Sequence, residues 1–371
     1  MLPPLARTKS KIYDNEEEDE LMTERRLEES AGNTVILGSQ RWRTGPNGRY
    51  LIHFEKAFKE NDQVDLIPLS KSAYKLTRFF DILRGSQNAT SLPENYQKKI
   101  NNFGRLIGLS DKPYQLPSII RHKARNIESI TLFAGQIYEI RLLDLINWRD
   151  KTIILYIADA WEPKFKRLNT LIEQYDIDHI FASYEKATKY LKGRGHKAYW
   201  LPQAINPEIW RDYKLSKKYG LIQFGRKNPT LHKFGKEHFD NEDYIHEFIH
   251  GDINLAKHIN ESEFTLLAPR KLQSPEQTGD ISPVTLRYYQ AMACKSMPAG
   301  FKPREFDKVF SDDIFFLEYE NDEQFRSDIE YFKQHKEEYW NRINRNYELM
   351  MSNHTWQKRV NTMSNIVNNE I

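Results

Sequence analysis

Asp280 to Cys294 sets a capping serine, a proline, an arginine and a glutamine in an order that suits the start of a helix over an anion. Ser282 is a helix-capping residue type, and Pro283 fits the first helical position, where its missing N–H would be unpaired anyway. The spacing therefore predicts a helix from Pro283 to Cys294. The free N–H groups around Ser282, Val284 and Thr285 would face outward with the positive end of that helix, a phosphate site that Asp280 either occupies or repels. Arg287 and Gln290 fall three apart on one face, so one ligand can touch both. Arg287 offers a donor fork for phosphate, and Gln290 a neutral donor and acceptor for a ribose hydroxyl. A capped helix with a surface arginine accounts for the same residues, and the sequence does not choose between them.

Phe224-Gly225-Arg226-Lys227 is the companion segment. Gly225 permits close backbone approach, and basic groups follow at the carboxyl end of an expected strand, where open α/β sheets bind ligands. Arg226 with Lys227 or Lys233 would neutralise a diphosphate as charge develops on it. Asp159, just beyond another apolar strand, is the candidate acid or base, with helix capping as the alternative. Trp161 and Tyr156 nearby are candidates for stacking on a sugar ring. His246 to His250 reads His-Glu-x-x-His, which on a helix would place two zinc ligands on one face. No third ligand is marked by spacing, so the pattern is read as coincidence and no metal is assigned. Arg41, Arg43, Gly45, Gly48 and Arg49 form a basic loop that reads either as a cleft contact or as ordinary surface.

The elements that must position these groups alternate strand and helix. Thr34 to Leu37, Asp65 to Ile67, Ser129 to Phe133, Thr152 to Ile157, His179 to Ser183 and Lys197 to Leu201 are expected strands, with a helix from Tyr50 to Lys59. The near-continuous apolar run at Thr152 to Ile157 suits a parallel strand covered on both faces. Tyr219 to Phe224 and Phe264 to Ala268 open a second series. Phe325, Ile329, Phe332, Tyr339, Ile343, Tyr347 and Met350 mark amphipathic helices that serve core packing. The fold class expected is α/β, with two Rossmann-like lobes facing a central cleft. The boundaries expected are an acidic tail over 1–30, lobes over 31–205 and 206–352, and a final helix over 353–371. The polar stretch from Asn88 to Pro117 reads as an excursion.

At 371 residues the chain exceeds one ordinary core, and 39% hydrophobic content with 20 Phe and 20 Tyr is enough to fill two. The 55 basic and 52 acidic side chains interleave to a net charge of +3, which argues against extended nucleic-acid binding. Cys294 is the sole cysteine, so an intrachain disulfide and a cysteine-rich metal site are excluded and a reducing compartment fits. No apolar run approaches the roughly 20 residues that span a bilayer. A cytoplasmic protein is expected, with peripheral contact at the inner membrane face still compatible.

From about Asp178 onward the chain resembles the two-Rossmann-lobe (GT-B) glycosyltransferases, most nearly the "group 1" retaining family and its spore-maturation-protein-like relatives. The resemblance covers roughly half the chain. It is carried by Phe181 to Tyr190 with Leu201 to Trp210, by the strand into Gly225-Arg226, by Arg287 to Cys294, and by His354 to Arg359. It implies Arg226 and Lys233 on the donor diphosphate, Gln290 on the ribose, backbone N–H groups from Ser282 to Thr285 on diphosphate or sugar, and a final helix over 353–371 that returns to brace the first lobe. The family often carries two glutamates eight positions apart; here Ser282 and Gln290 stand there, and Lys295 replaces a glycine. The function implied is transfer of a sugar from a nucleoside-diphosphate sugar to a glycan or lipid-linked acceptor with retention, without a tightly bound cofactor. The alternatives are a non-catalytic nucleotide-sugar-binding protein of the same fold and a nucleic-acid base glycosyltransferase.

Overall fold

The computed structural model describes residues 34–37, 52–58, 64–67, 129–145, 148–272, 274–310 and 314–370. The acidic tail, the Arg41 to Arg49 loop and the polar excursion from Asn88 to Pro117 lie outside them. Two sheets, parallel throughout, organise the molecule. The first runs β1 (Thr34–Leu37), β2 (Val64–Ile67), β3 (Ser129–Ala134), β4 (Thr152–Ile157), β5 (His179–Ala182) and β6 (Ala198–Trp200), in the order β2-β1-β3-β4-β5-β6. The second runs β7 (Tyr219–Ile222), β8 (Tyr244–Ile245), β9 (Ser262–Leu267), β10 (Met297–Gly300) and β11 (Leu317–Glu318), in the order β11-β10-β9-β7-β8. Because every pairing is parallel, each sheet gathers its carboxyl ends on one edge, where ligands bind in such folds.

β4 illustrates how sequence becomes architecture. Its apolar run is buried on both faces, as a central parallel strand requires. Ile153, Leu155 and Ile157 pack with Leu168, Leu171 and Tyr175 of the Phe165–Tyr175 helix. Ile154 and Tyr156 face the helix over residues 52–58 and the carboxy-terminal helix Trp356–Glu370, through Phe54, Trp356, Val360 and Met363. Phe54 stacks on Trp356 at 4.7 Å and meets Tyr156 edge-on at 4.7 Å. The last helix therefore belongs to the first lobe's core although it follows the second sheet.

The second sheet is covered by Leu231 and Phe234 on one side with Phe325, Ile329 and Ile343 of the amphipathic helices Asp322–Gln334 and Lys336–Asn353. Tyr288, Met292 and Phe306 cover the other. The two crossings between lobes are tied to each other. Ile205 N–H donates to the His354 carbonyl at 3.0 Å, Trp356 N–H donates to the Ile205 carbonyl at 2.9 Å, and Arg359 Nε donates to the Pro202 carbonyl at 2.9 Å. At the opposite edge of the second sheet, the buried Lys217 ammonium donates to the carbonyls of Asn260, Ser262 and Lys295, joining three segments.

Candidate active site between the lobes

The tip of β7 is shaped by Gly225, whose φ of +72° lies in the left-handed region where a side chain is strained. Arg287 packs against it: Nη1 donates to the Arg226 carbonyl at 2.9 Å and to Phe224 at 3.5 Å, and Nη2 reaches the Ala268 carbonyl at 3.4 Å. Arg287 thus clamps the β7 tip to the β9 tip. The fork expected to face a phosphate is turned to backbone carbonyls first, and it adds positive charge there.

The helix expected from Pro283 begins later. It spans Leu286–Ala293, with Thr285 extended at its N-cap (φ −88°, ψ 164°). Ser282 is not the cap: its hydroxyl accepts from Arg304 N–H at 3.4 Å and its carbonyl from Glu305 N–H at 3.3 Å. The cause is tertiary. Ile281 is buried in the first lobe's core and Val284 in the second lobe's. Three residues of extended chain span about 10 Å, whereas a helical path would span about 4.5 Å. Thr285 Oγ1 is buried with no hydrogen-bond partner among the described residues.

Arg270, which the sequence reading missed, follows β9 as Arg226 follows β7. Its guanidinium lies over the Trp161 ring at 5.1 Å, and Nη2 donates to Gln277 Oε1 at 2.9 Å. Arg226 Nη1 donates to Ser274 Oγ at 3.3 Å. The signal available in the sequence was a basic residue directly after Pro269 at a strand end, the pattern already recognised at Gly225-Arg226.

Asp159 faces these arginines from the first lobe. Its carboxylate accepts from Gln136 Nε2 and, at 3.2 Å, from the Tyr184 hydroxyl, while Lys164 Nζ donates to Gln136 Oε1 at 3.0 Å. Glu139 accepts from the backbone N–H groups of Gly135 (2.7 Å) and Gln136 (3.3 Å), which fixes the turn that carries Gln136. Burial pushes the Asp159 carboxyl above its usual range, opposed by the charges of Arg270 and Lys164. Burial pushes Lys164 down, and it lowers Arg226 and Arg287 with help from their arginine neighbours. Lys164, Arg226, Arg270 and Arg287 therefore act on one another in a partly dry region against three carboxylates, Asp159, Glu139 and Glu276, leaving positive charge in excess.

The other expected residues go elsewhere. Lys233 is 70% exposed on the Pro229–His238 helix, and its ion pair is with Glu237 at 3.8 Å; no described contact brings it to Arg226. Lys227 turns to His246 Nδ1 at 3.3 Å. Gln290 is buried within its helix. Tyr156 is sealed in the first core among Phe54, Phe133 and Trp356, so its ring is not available to a sugar. Trp161 is 2% exposed and packs on Tyr184 at 4.6 Å. His246 follows β8 in extended chain and the pair lies outside any helix, so the one-face geometry of a zinc site is absent there. Ser282 lines a cavity of about 310 Å³ together with Pro269, Lys271, Gly300, Lys302 and Arg304.

Two parallel Rossmann-like lobes with facing carboxyl edges place the chain in the GT-B fold. HepE of Anabaena, solved with UDP-glucose, superposes with a TM-score of 0.56 at 8% identity, covering 91% of this chain and 99% of HepE. Sucrose-phosphate synthase from Thermosynechococcus elongatus gives 0.54 at 9% identity, covering 91% and 98%. TarM of S. aureus gives 0.47 at 10% identity over 64% of this chain; the chain spans only 55% of TarM and 58% of a chain of the GtfA/B complex. At the level of sequence, residues 217–365 match the family described as glycosyl transferase-like. No curated protein matches the chain in sequence. Among the described residues no helix is long and apolar enough to cross a membrane.

Proposed function

We propose that the chain is a glycosyltransferase that moves a sugar from a nucleoside-diphosphate sugar to a hydroxyl of a glycan or lipid-linked acceptor, with retention of anomeric configuration. The observation that carries this is the excess positive charge of Arg226, Arg270, Arg287 and Lys164 in a half-buried cleft beside a single hydrogen-bonded aspartate. As the bond from the anomeric carbon to the diphosphate oxygen breaks, the electron pair leaves with the diphosphate. Preorganised guanidinium groups in a poorly hydrated site oppose that charge strongly. Asp159, held by Gln136 and Tyr184, accepts the hydrogen bond of the incoming hydroxyl and orients it; the hydroxyl oxygen forms its bond to the anomeric carbon on the face the diphosphate leaves, and its proton passes to the departing diphosphate oxygen. The match of the second lobe to a glycosyl transferase-like family and a fold shared with a UDP-glucose complex support the reading.

A thermal-shift screen of UDP-, GDP- and dTDP-sugars tests it, followed by turnover with the stabilising donor. One nucleotide class should raise Tm, and Arg226→Ala should abolish most of that shift. No stabilisation by any of the three classes would refute the proposal. Ser282 and Gln290, where related proteins often carry glutamates, favour one second reading, a protein that binds the donor without turnover. Donor binding with no hydrolysis or transfer to any acceptor would select it.

A further inference from the structure

The loop from Arg270 to Thr285 belongs to the second lobe yet docks on the first, and Glu162 is the centre of that dock. One Glu162 oxygen accepts the backbone N–H of Asp280, and the other accepts Lys186 Nζ at 2.6 Å. Gly279 lies against the same side chain at φ +60°; a Cβ built there would stand 2.6 Å from Glu162 Oε2 and 2.8 Å from its Cβ. Two residues on, Ile281 is 1% exposed within the first lobe's core. A second contact lies alongside: Lys308 pairs with Glu185 at 2.7 Å, and the Glu185 backbone N–H donates to the Glu305 carboxylate.

The Glu162, Lys186 and Asp280 side chains are 35%, 40% and 55% exposed, so their ion pairs add little. Position is set instead by the backbone hydrogen bond, the close approach at Gly279 and the burial of Ile281. The docked loop carries Arg270 at one end and Thr285 at the other. We propose that Glu162 is a positioning residue: by docking residues 279–281 on the first lobe it sets Arg270 against Trp161 and Asp159 in the geometry that transfer needs. This rests on the reading that Arg270 receives the donor diphosphate. Nucleotide held by the second lobe still binds when the dock is broken, but the reacting groups lose alignment, and a misplacement of about 1 Å can cost about 100-fold.

The test uses the full chain with Glu162→Ala, Glu162→Gln, Gly279→Ala and the Glu162→Ala/Gly279→Ala pair. UDP titration calorimetry, kcat and KM are measured together with the distance between spin labels on the two lobes. Glu162→Ala should lower kcat about 30- to 100-fold with UDP affinity changed less than about threefold. Glu162→Gln keeps an acceptor for the Asp280 N–H and should restore most of the rate. Gly279→Ala should reproduce the loss, and the loss should persist in the double variant, because φ stays near +60° and the Cβ that alanine keeps at 162 still stands 2.8 Å from the new methyl. A fall in kcat matched by an equal fall in UDP affinity, or an unchanged kcat, would overturn the proposal. If the wild type binds no nucleotide, the function proposed above fails by itself; the docking claim is then decided by label distances, which should broaden in Glu162→Ala and would refute it by staying the same.

Discussion

Replacing Arg270 by alanine removes the charge that sits between the lobes, while its described side-chain contacts, the Gln277 hydrogen bond and the Trp161 ring, are modest. Two unit charges about 6 Å apart at an effective dielectric of about 20 interact by roughly 2.8 kcal/mol. At about 1.4 kcal/mol per tenfold, losing one such interaction with a bound diphosphate weakens nucleoside-diphosphate binding about 100-fold. Arg270→Lys keeps a point charge but loses the planar stack on Trp161, so an intermediate loss of about tenfold is expected. The assay is UDP titration of the full chain at several salt concentrations, with Tm measured for each variant. The wild-type affinity should fall with salt more steeply than that of Arg270→Ala, since one screened contact has gone. An Arg270→Ala protein that binds UDP within twofold of wild type, with unchanged Tm and salt slope, would refute the assignment of this arginine and weaken the electrostatic account of the cleft.

Asp159→Asn keeps the side-chain shape and should lower kcat by about 10²- to 10⁴-fold with donor affinity little changed; equal kcat would remove Asp159 from the chemistry. Lys217→Met strands three carbonyls but relieves the burial that pushes the Lys217 ammonium down to about 7, so a net cost of about 1–3 kcal/mol is expected, read as an early midpoint in urea. Burial and the neighbouring Glu185 push the Glu305 carboxyl up to about 7, so between about pH 4.5 and 7 the folded state holds more protons than the unfolded chain. The contribution of Glu305 to stability should therefore fall by about 3 kcal/mol as pH rises through that window and level off above it, opposed below about pH 6.5 by His354, whose imidazole is pushed down by burial to about 3. Glu305→Gln should flatten this fall in denaturant midpoints measured from pH 5 to 8. An unaltered pH profile in that variant would assign the dependence to other groups.

Most of the scaffold was legible in the residues. The apolar run of β4 and the stripe from Phe325 to Met350 follow from periodicity, which each residue carries with it because burial alternates with backbone geometry, whereas the return of Trp356 to the first lobe was implied by the family resemblance alone. Gly225-Arg226 was legible for the same reason, as a strand end followed by a flexible residue and a charge. The start of the Leu286 helix was not. Capping chemistry at Ser282 was sound locally, but the demand that Ile281 and Val284 enter different cores overrode it. Lys233 followed a spacing implied by resemblance, and helical phase carried its side chain outward to Glu237.

The sequence by itself determined two α/β lobes, a basic strand tip and an aspartate beyond a buried strand, all properties of neighbouring residues. Tertiary structure alone decided that Arg270 meets Trp161, that Arg287 spends its donors on carbonyls, and that Glu162 receives Asp280. The Arg270 and Glu162 contacts join positions more than 100 residues apart and are chosen by how two separately folded cores are docked, while the Arg287 contacts are chosen by how the β7 and β9 tips meet within the second lobe, none of them by a local preference of the chain.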